Sequence, residues 1–138
     1  MAIIGHGIDA VEVARIAGLL EHRGERFGER CFTPDERAYA DSSKRRVEHY
    51  AVRFAAKEAV MKALGTGWAQ GVGWTDAEVT RDPSGRPGLL LHGVAARIAA
   101  ELGVERWSLS LTHTETIAFA SVIAEGGASH SHPANQPP

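Results

Sequence analysis

Between residues 47 and 64, Val47, Tyr50, Ala51, Phe54 and Met61 fall in one stripe at helical spacing, and Gly65 ends the pattern. This is the strongest helical signal in the chain, and an amphipathic helix has to lay its apolar stripe on something. Residues 107–111 and 117–124 are nearly continuous apolar runs joined by Thr112-His-Thr-Glu-Thr116. Runs of that kind read as two central strands. Residues 2–8 read as a further strand, loosened by Gly5 and Gly7. A helix is expected just after Asp9, with Val13, Ile16, Ala17 and Leu20 on one side. Thr33, Pro34 and Glu36 form a capping-box helix start, continuing through Ala40. Residues 77–81 and 89–92 read as strands around the turn signal Asp82-Pro-Ser-Gly85. Residues 94–102 read as a helix closed by Gly103. Strand, helices, hairpin, helix, hairpin is the order of an α+β domain with a mainly antiparallel sheet packed with helices.

A chain of 138 residues suits one domain with a real core. Its net charge of −2 gives no footing for nucleic acid or an anionic membrane. No apolar run approaches the roughly 20 residues of a membrane span. The N-terminal residues lack the basic start and long apolar stretch of a secretory signal. Cys31 is the one cysteine, so no internal disulfide forms, and it reads as a small half-buried hydrophobe. These features predict a cytoplasmic protein. Residues 126–138 offer no apolar run to bury and are expected to form a disordered tail behind a domain of residues 1–125.

Several polar residues stand where chemistry is possible. Asp9, between a strand and a helix, reads either as a helix cap or as a metal ligand at the mouth of the sheet. Glu58 lies on the edge of the apolar stripe, four residues after Phe54. Lys62, four residues on, offers it a routine surface pair; the alternative is that Asp9 and Glu58 share Mg²⁺, which takes one or two carboxylates plus substrate phosphates. Lys57 and Lys62 flank Glu58 before the glycine-rich loop 65–74, where backbone N–H groups can approach an anion. Such a loop also simply ends a helix, and there is no P-loop run. His113 sits among Ser110, Thr112 and Thr114 and reads as a solvated turn residue or a nucleotide contact. Arg23, Arg26 and Arg30 alternate with Glu21, Glu25 and Glu29, which reads as a solvated, salt-bridged face.

Three segments together resemble one family. They are residues 5–16 (Gly-His-Gly-Ile-Asp-Ala-Val-Glu-Val-Ala-Arg-Ile), residues 53–67 (Arg-Phe-Ala-Ala-Lys-Glu-Ala-Val-Met-Lys-Ala-Leu-Gly-Thr-Gly) and residues 108–114 (Ser-Leu-Ser-Leu-Thr-His-Thr). In this order and spacing the chain resembles the holo-acyl-carrier-protein synthases, the small phosphopantetheinyl transferases. The match runs from about residue 3 to 125 and includes a Gly-basic-Pro turn at Gly85-Arg-Pro87. The last motif departs slightly, reading Thr-His-Thr where many relatives have Ser-His and then an acidic or polar residue. The resemblance implies a phosphopantetheinyl transferase fold working as a homotrimer with sites between subunits. It implies transfer of 4′-phosphopantetheine from coenzyme A to a serine of acyl carrier protein, in the service of fatty acid synthesis. Asp9 and Glu58 match the family's Mg²⁺ carboxylates, and Lys62 matches the lysine beside the coenzyme A phosphates. Arg53, Gly65, Thr66, Gly67, Thr112 and His113 match coenzyme A contacts, with His113 near the nucleotide end. Arg15 matches the helix arginine facing the acidic carrier. A coenzyme A- or nucleotide-binding regulatory module and a metal-dependent phosphohydrolase remain the competing readings of the same residues.

Overall fold

A computed structural model describes residues 1–127. Strand β1 (Ala2–Glu12) leads into helices α1 (Val13–Arg23), α2 (Glu25–Cys31), α3 (Pro34–Asp41) and α4 (Arg46–Leu64). After the glycine-rich loop and a short 3₁₀ turn (Trp74–Asp76) come β2 (Ala77–Arg81), β3 (Pro87–Leu91), α5 (Gly93–Leu102), β4 (Val104–His113) and β5 (Ile117–Gly126). The architecture is the expected α+β one, with antiparallel pairing throughout.

The sheet has the order β1-β5-β4, and β2 with β3 forms a separate hairpin. Only one of the two expected central strands is central. Strand β5 is paired on both sides, while β4 is an edge that buries Trp107, Leu109 and Leu111 only partly and exposes Ser108, Ser110 and Thr112. Along β5, Ala118, Ala120, Val122 and Ala124 are buried beneath the helices, and Phe119 points out.

Helix α4 packs on the inner face of this sheet, through contacts that depend on two glycines. A Cβ on Gly7 would collide with the Ala59 carbonyl, and one on Gly5 with the Ala63 carbonyl. Gly5 and Gly7 therefore do not loosen the strand; they let its backbone reach the helix backbone, opposite the small residues Ala59 and Ala63. Strand β1 consequently runs three residues beyond Asp9, to Glu12. Asp9 pairs with Ala120 inside the sheet and is no helix cap; Glu12 holds the cap position, without a side-chain hydrogen bond.

The remaining core is aromatic, with Phe32 edge-on to Phe27 at 5.7 Å and to Tyr50 at 4.9 Å. The capping box at Thr33 and Glu36 forms as expected, and Gly65 and Gly103 close α4 and α5 in the left-handed conformation. Cys31 is buried. Gly126, placed in the tail by its composition, is the last residue of β5, and the Gly127 N–H donates to Glu105. The rest of the expected tail, residues 128–138, lies outside the described residues.

The β1–α4 contact makes a specific demand on stability. Gly7→Ala should destabilise the fold by about 1–3 kcal/mol through overpacking. Gly18→Ala, in α1 with open space where a Cβ would go, should instead add about 0.5–1 kcal/mol. Denaturant melts of the two variants check the opposite signs.

Candidate active site

Because β1 touches α4, the carboxylate of Asp9 meets the helix near its C-terminal end. Lys62 donates to Asp9 Oδ1 at 3.1 Å and to the Ile8 carbonyl at 3.0 Å. Its side chain remains half exposed, and that of Asp9 is 19% exposed. The expected Glu58–Lys62 surface pair is therefore absent. Lys62 turns to the strand, and Glu58, half-buried one turn earlier, has no hydrogen bond or ion pair to any described residue. A semi-buried carboxylate without a donor is costly unless something else neutralises it.

Two oxygen donors, from Asp9 and Glu58, suit a hard cation that keeps its other positions for water and phosphate oxygens. Among the described residues no group of three or more His, Cys, Asp or Glu side chains could form a closed metal cage.

Lys57, expected beside Lys62 as a phosphate contact, is elsewhere. It is fully buried and donates to Glu36 Oε1 at 2.8 Å, to the Trp74 carbonyl at 3.1 Å and to the Ala77 carbonyl at 2.6 Å. Burial pushes its ammonium below the ordinary value, and Glu36 opposes that. The Glu36 carboxylate is satisfied on every side, since Oε1 also accepts from the Thr33 N–H and Oε2 from the Val79 N–H. Removing one partner of such a pair leaves a stranded charge and costs about 3–5 kcal/mol.

The glycine-rich loop does not offer its first amides to an anion. The N–H groups of Gly65, Thr66 and Gly67 fold back onto the Lys62 and Met61 carbonyls at the end of α4. A helix C-terminus carries partial negative charge, so attraction for phosphate at this end rests on the Lys62 ammonium.

Arg53 lies five positions before Glu58, about 140° around the helix. Its guanidinium is buried over the Tyr39 ring at 4.5 Å, Arg81 approaches the same ring at 5.2 Å, and Arg53 Nε has no hydrogen-bond partner among the described residues. Burial and then Arg81 lower its pKa. Arg81 also lines a cleft of about 240 Å³ with His49, Val52, Leu111, Thr112 and His113. The rings of His49 and His113 lie 6.3 Å apart, and burial followed by Arg53, Arg81 and His113 lowers the His49 pKa. Within one chain the expected residues thus fall on different sides of α4: Lys62 meets Asp9, with Glu58 one turn back on the helix, while Arg53 donates to the His49 carbonyl behind the cleft that Thr112 and His113 line. His49 and Arg81 line that cleft too, and no sequence motif signalled them.

On the face of α1 and α2 lies a groove of about 480 Å³ lined by Leu19, Phe27, Phe54 and Trp74 and by Arg23, Arg26 and Arg30. Among the described residues no ion pair joins these arginines to Glu21, Glu25 or Glu29, so the expected salt-bridged face is not formed. Phe54 stacks on Trp74 at 4.5 Å, Trp74 on Trp68 at 3.9 Å, and the exposed Arg15 lies over Phe54 at 5.5 Å.

Residues 5–120 match the model of the 4′-phosphopantetheinyl transferase superfamily. A holo-(acyl-carrier-protein) synthase of Solibacter usitatus is 52% identical over 123 residues, covering 89% of this chain and 98% of that protein. The crystal structure of the Neisseria meningitidis holo-(acyl-carrier-protein) synthase superposes with a TM-score of 0.83 at 35% identity, covering 90% and 99% of the two chains. A Bacillus anthracis synthase in complex with coenzyme A (3′,5′-ADP) superposes with a TM-score of 0.75 at 37% identity, covering 91% and 98%. The chain belongs to the 4′-phosphopantetheinyl transferase superfamily, among its holo-(acyl-carrier-protein) synthases.

Proposed function

We propose that this chain transfers 4′-phosphopantetheine from coenzyme A to a serine of an apo-acyl carrier protein, releasing 3′,5′-ADP. The observation that carries the reading is the group at the β1–α4 contact, where a lysine-held Asp9 lies beside α4, which presents the unpartnered Glu58. The serine oxygen bonds to the phosphorus that bears pantetheine, the bond from that phosphorus to the 3′,5′-ADP oxygen breaks with its electron pair leaving on 3′,5′-ADP, and the hydroxyl proton passes to solvent water. Phosphoryl transfer of this kind is mostly positioning and charge neutralisation. Asp9 and Glu58 would hold Mg²⁺, which would neutralise the pyrophosphate. Lys62, half exposed, adds a positive charge against the leaving phosphate. A regulatory module that only bound nucleotide would have no use for an unpartnered carboxylate beside that lysine.

Arg53 and Arg81 supply positive charge, and His49, Thr112 and His113 supply ring nitrogens and a hydroxyl, a set suited to the nucleotide end of coenzyme A. Since they lie on another side of α4 from Glu58, a complete site is best made between two copies of the chain. The outer sheet face supports such an assembly. Ile3 and Ile8 on β1 and Phe119 on β5 are exposed there, and a monomer seldom leaves such side chains clustered in water. The family resemblance supplies a trimer. The groove with its unpaired arginines, together with Arg15, would receive the acidic carrier protein, and Gly65, Thr66 and Gly67 would border the pantetheine side. Service to fatty acid synthesis in the cytoplasm completes the reading. Among the described residues no helix is long and apolar enough to cross a membrane.

Incubation with coenzyme A, Mg²⁺ and apo-carrier protein tests the reaction. A carrier mass gain of one phosphopantetheine is expected; hydrolysis of coenzyme A without that gain would identify a phosphohydrolase, and binding alone a regulatory module.

Asp9→Asn and Glu58→Gln should each keep the fold and lower turnover by about 100-fold, the scale of losing one charge-stabilising group, with weakened Mg²⁺ dependence. Near-normal rates in either variant would remove that residue from the metal site. Arg15→Ala should raise the KM for carrier by up to about fivefold, from the roughly 0.2–1 kcal/mol of an exposed pair. The effect should shrink as salt rises, with the KM for coenzyme A unchanged. For the assembly, light scattering coupled to size exclusion should give the mass of three chains, and a fully active species at the mass of one would exclude shared sites.

A further inference from the structure

We propose that Lys57 is a positioning residue for carrier docking: its buried pairing with Glu36 fixes the turn that carries Trp74, one of the three aromatic residues that line the arginine-rimmed groove. This rests on the reading of that groove as the carrier site. The two main-chain acceptors of Lys57, Trp74 O and Ala77 O, bracket the 3₁₀ turn, and Glu36 secures the start of α3 and the Val79 N–H at the same point. Phe54, the aromatic residue of that lining on which Trp74 stacks, sits on the same helix one turn before Lys57. The ammonium thus sets Trp74 relative to Phe54, whose rings lie 4.5 Å apart and 22° from parallel. An alkyl side chain would fill the volume of Lys57 but hold neither carbonyl. The far end of the turn would still be tied through Asp76, whose N–H donates to the Gly73 carbonyl and whose carbonyl accepts from the His92 N–H. Trp74 itself would lose its main-chain anchor and keep its stacking between Phe54 and Trp68.

The test separates this role from plain stability. Lys57→Met strands the Glu36 charge and should lower the melting temperature. Lys57→Met combined with Glu36→Gln removes both charges, keeps a capping-box residue, and should regain most of that loss. The double variant should still show a KM for apo-carrier raised at least about tenfold, the scale of a modest misplacement, with the KM for coenzyme A unchanged. It should also lose the exciton signal of the stacked Trp68 and Trp74 indoles in circular dichroism. A double variant with wild-type melting and a wild-type carrier KM overturns the proposal. Should that variant fail to fold, Glu36→Gln alone decides, because it keeps the cap but weakens the hold on Lys57; a raised carrier KM supports the role, and a wild-type value overturns it. Arg26→Ala serves as the control on the groove itself. If Arg26→Ala leaves the carrier KM unchanged, the docking reading fails, and the indole signal of the Lys57 variants still reports whether the pair fixes Trp74.

Discussion

The approach of β1 to α4 is set by backbone meeting backbone at two points, Gly7 against the Ala59 carbonyl and Gly5 against the Ala63 carbonyl. No side chain fits between them. The alternation of a strand then puts Asp9, two residues on, on the same inner face. The spacing of the helix puts Glu58 and Lys62 one turn apart along the edge that Asp9 meets. The Lys62–Asp9 hydrogen bond is thus a consequence of packing, and the chemistry of the site depends on how closely a strand can lie on a helix.

Helix α4 serves three tasks because three of its sides face different surroundings. Ala55, Ala59 and Ala63 are small and buried. Arg53 and Lys57 turn towards α3 and β2, where one meets Tyr39 and the other Glu36. Glu58 and Lys62 face the opening beside β1. Two adjacent residues, Lys57 and Glu58, consequently have opposite fates: one is a fully satisfied buried charge, the other a half-buried charge with no partner among the described residues. The buried pair gains little net stability over an apolar pair of similar volume, because desolvation offsets the attraction. What it adds is a fixed geometry for three chain segments that share no sheet.

The two groups left on separate sides of α4 would give the proposed assembly of copies a chemical reason. Arg53 and Arg81 share Tyr39, two cations beside one ring, and the nearby His49 has a lowered pKa. Such an array suits an anion and is poorly placed to serve the carboxylates of its own chain. The exposed Ile3, Ile8 and Phe119 belong to the sheet face that a neighbouring copy would cover.

Much of the fold was legible because local rules govern it. The stripe of α4, the capping box at Thr33 and Glu36, the closing glycines Gly65 and Gly103 and the β2–β3 turn follow from periodicity and backbone preference. The three motif segments likewise sufficed to name the family, because Asp9, Glu58, Lys62, Arg53 and His113 keep their order and spacing. What the sequence could not decide was which of these charges would meet. Lys62 passes over Glu58, four residues away, for Asp9, fifty-three residues away, because glycine contacts bring β1 there. Lys57 goes inward to Glu36, which local reading had assigned only to a cap. Strand β4 is an edge although its composition resembles that of β5, and Arg23, Arg26 and Arg30 rim a groove where alternating charge suggested a salt-bridged surface. Periodicity specifies which face of an element is apolar, but the partner of each charge depends on distances between elements, which only tertiary packing sets.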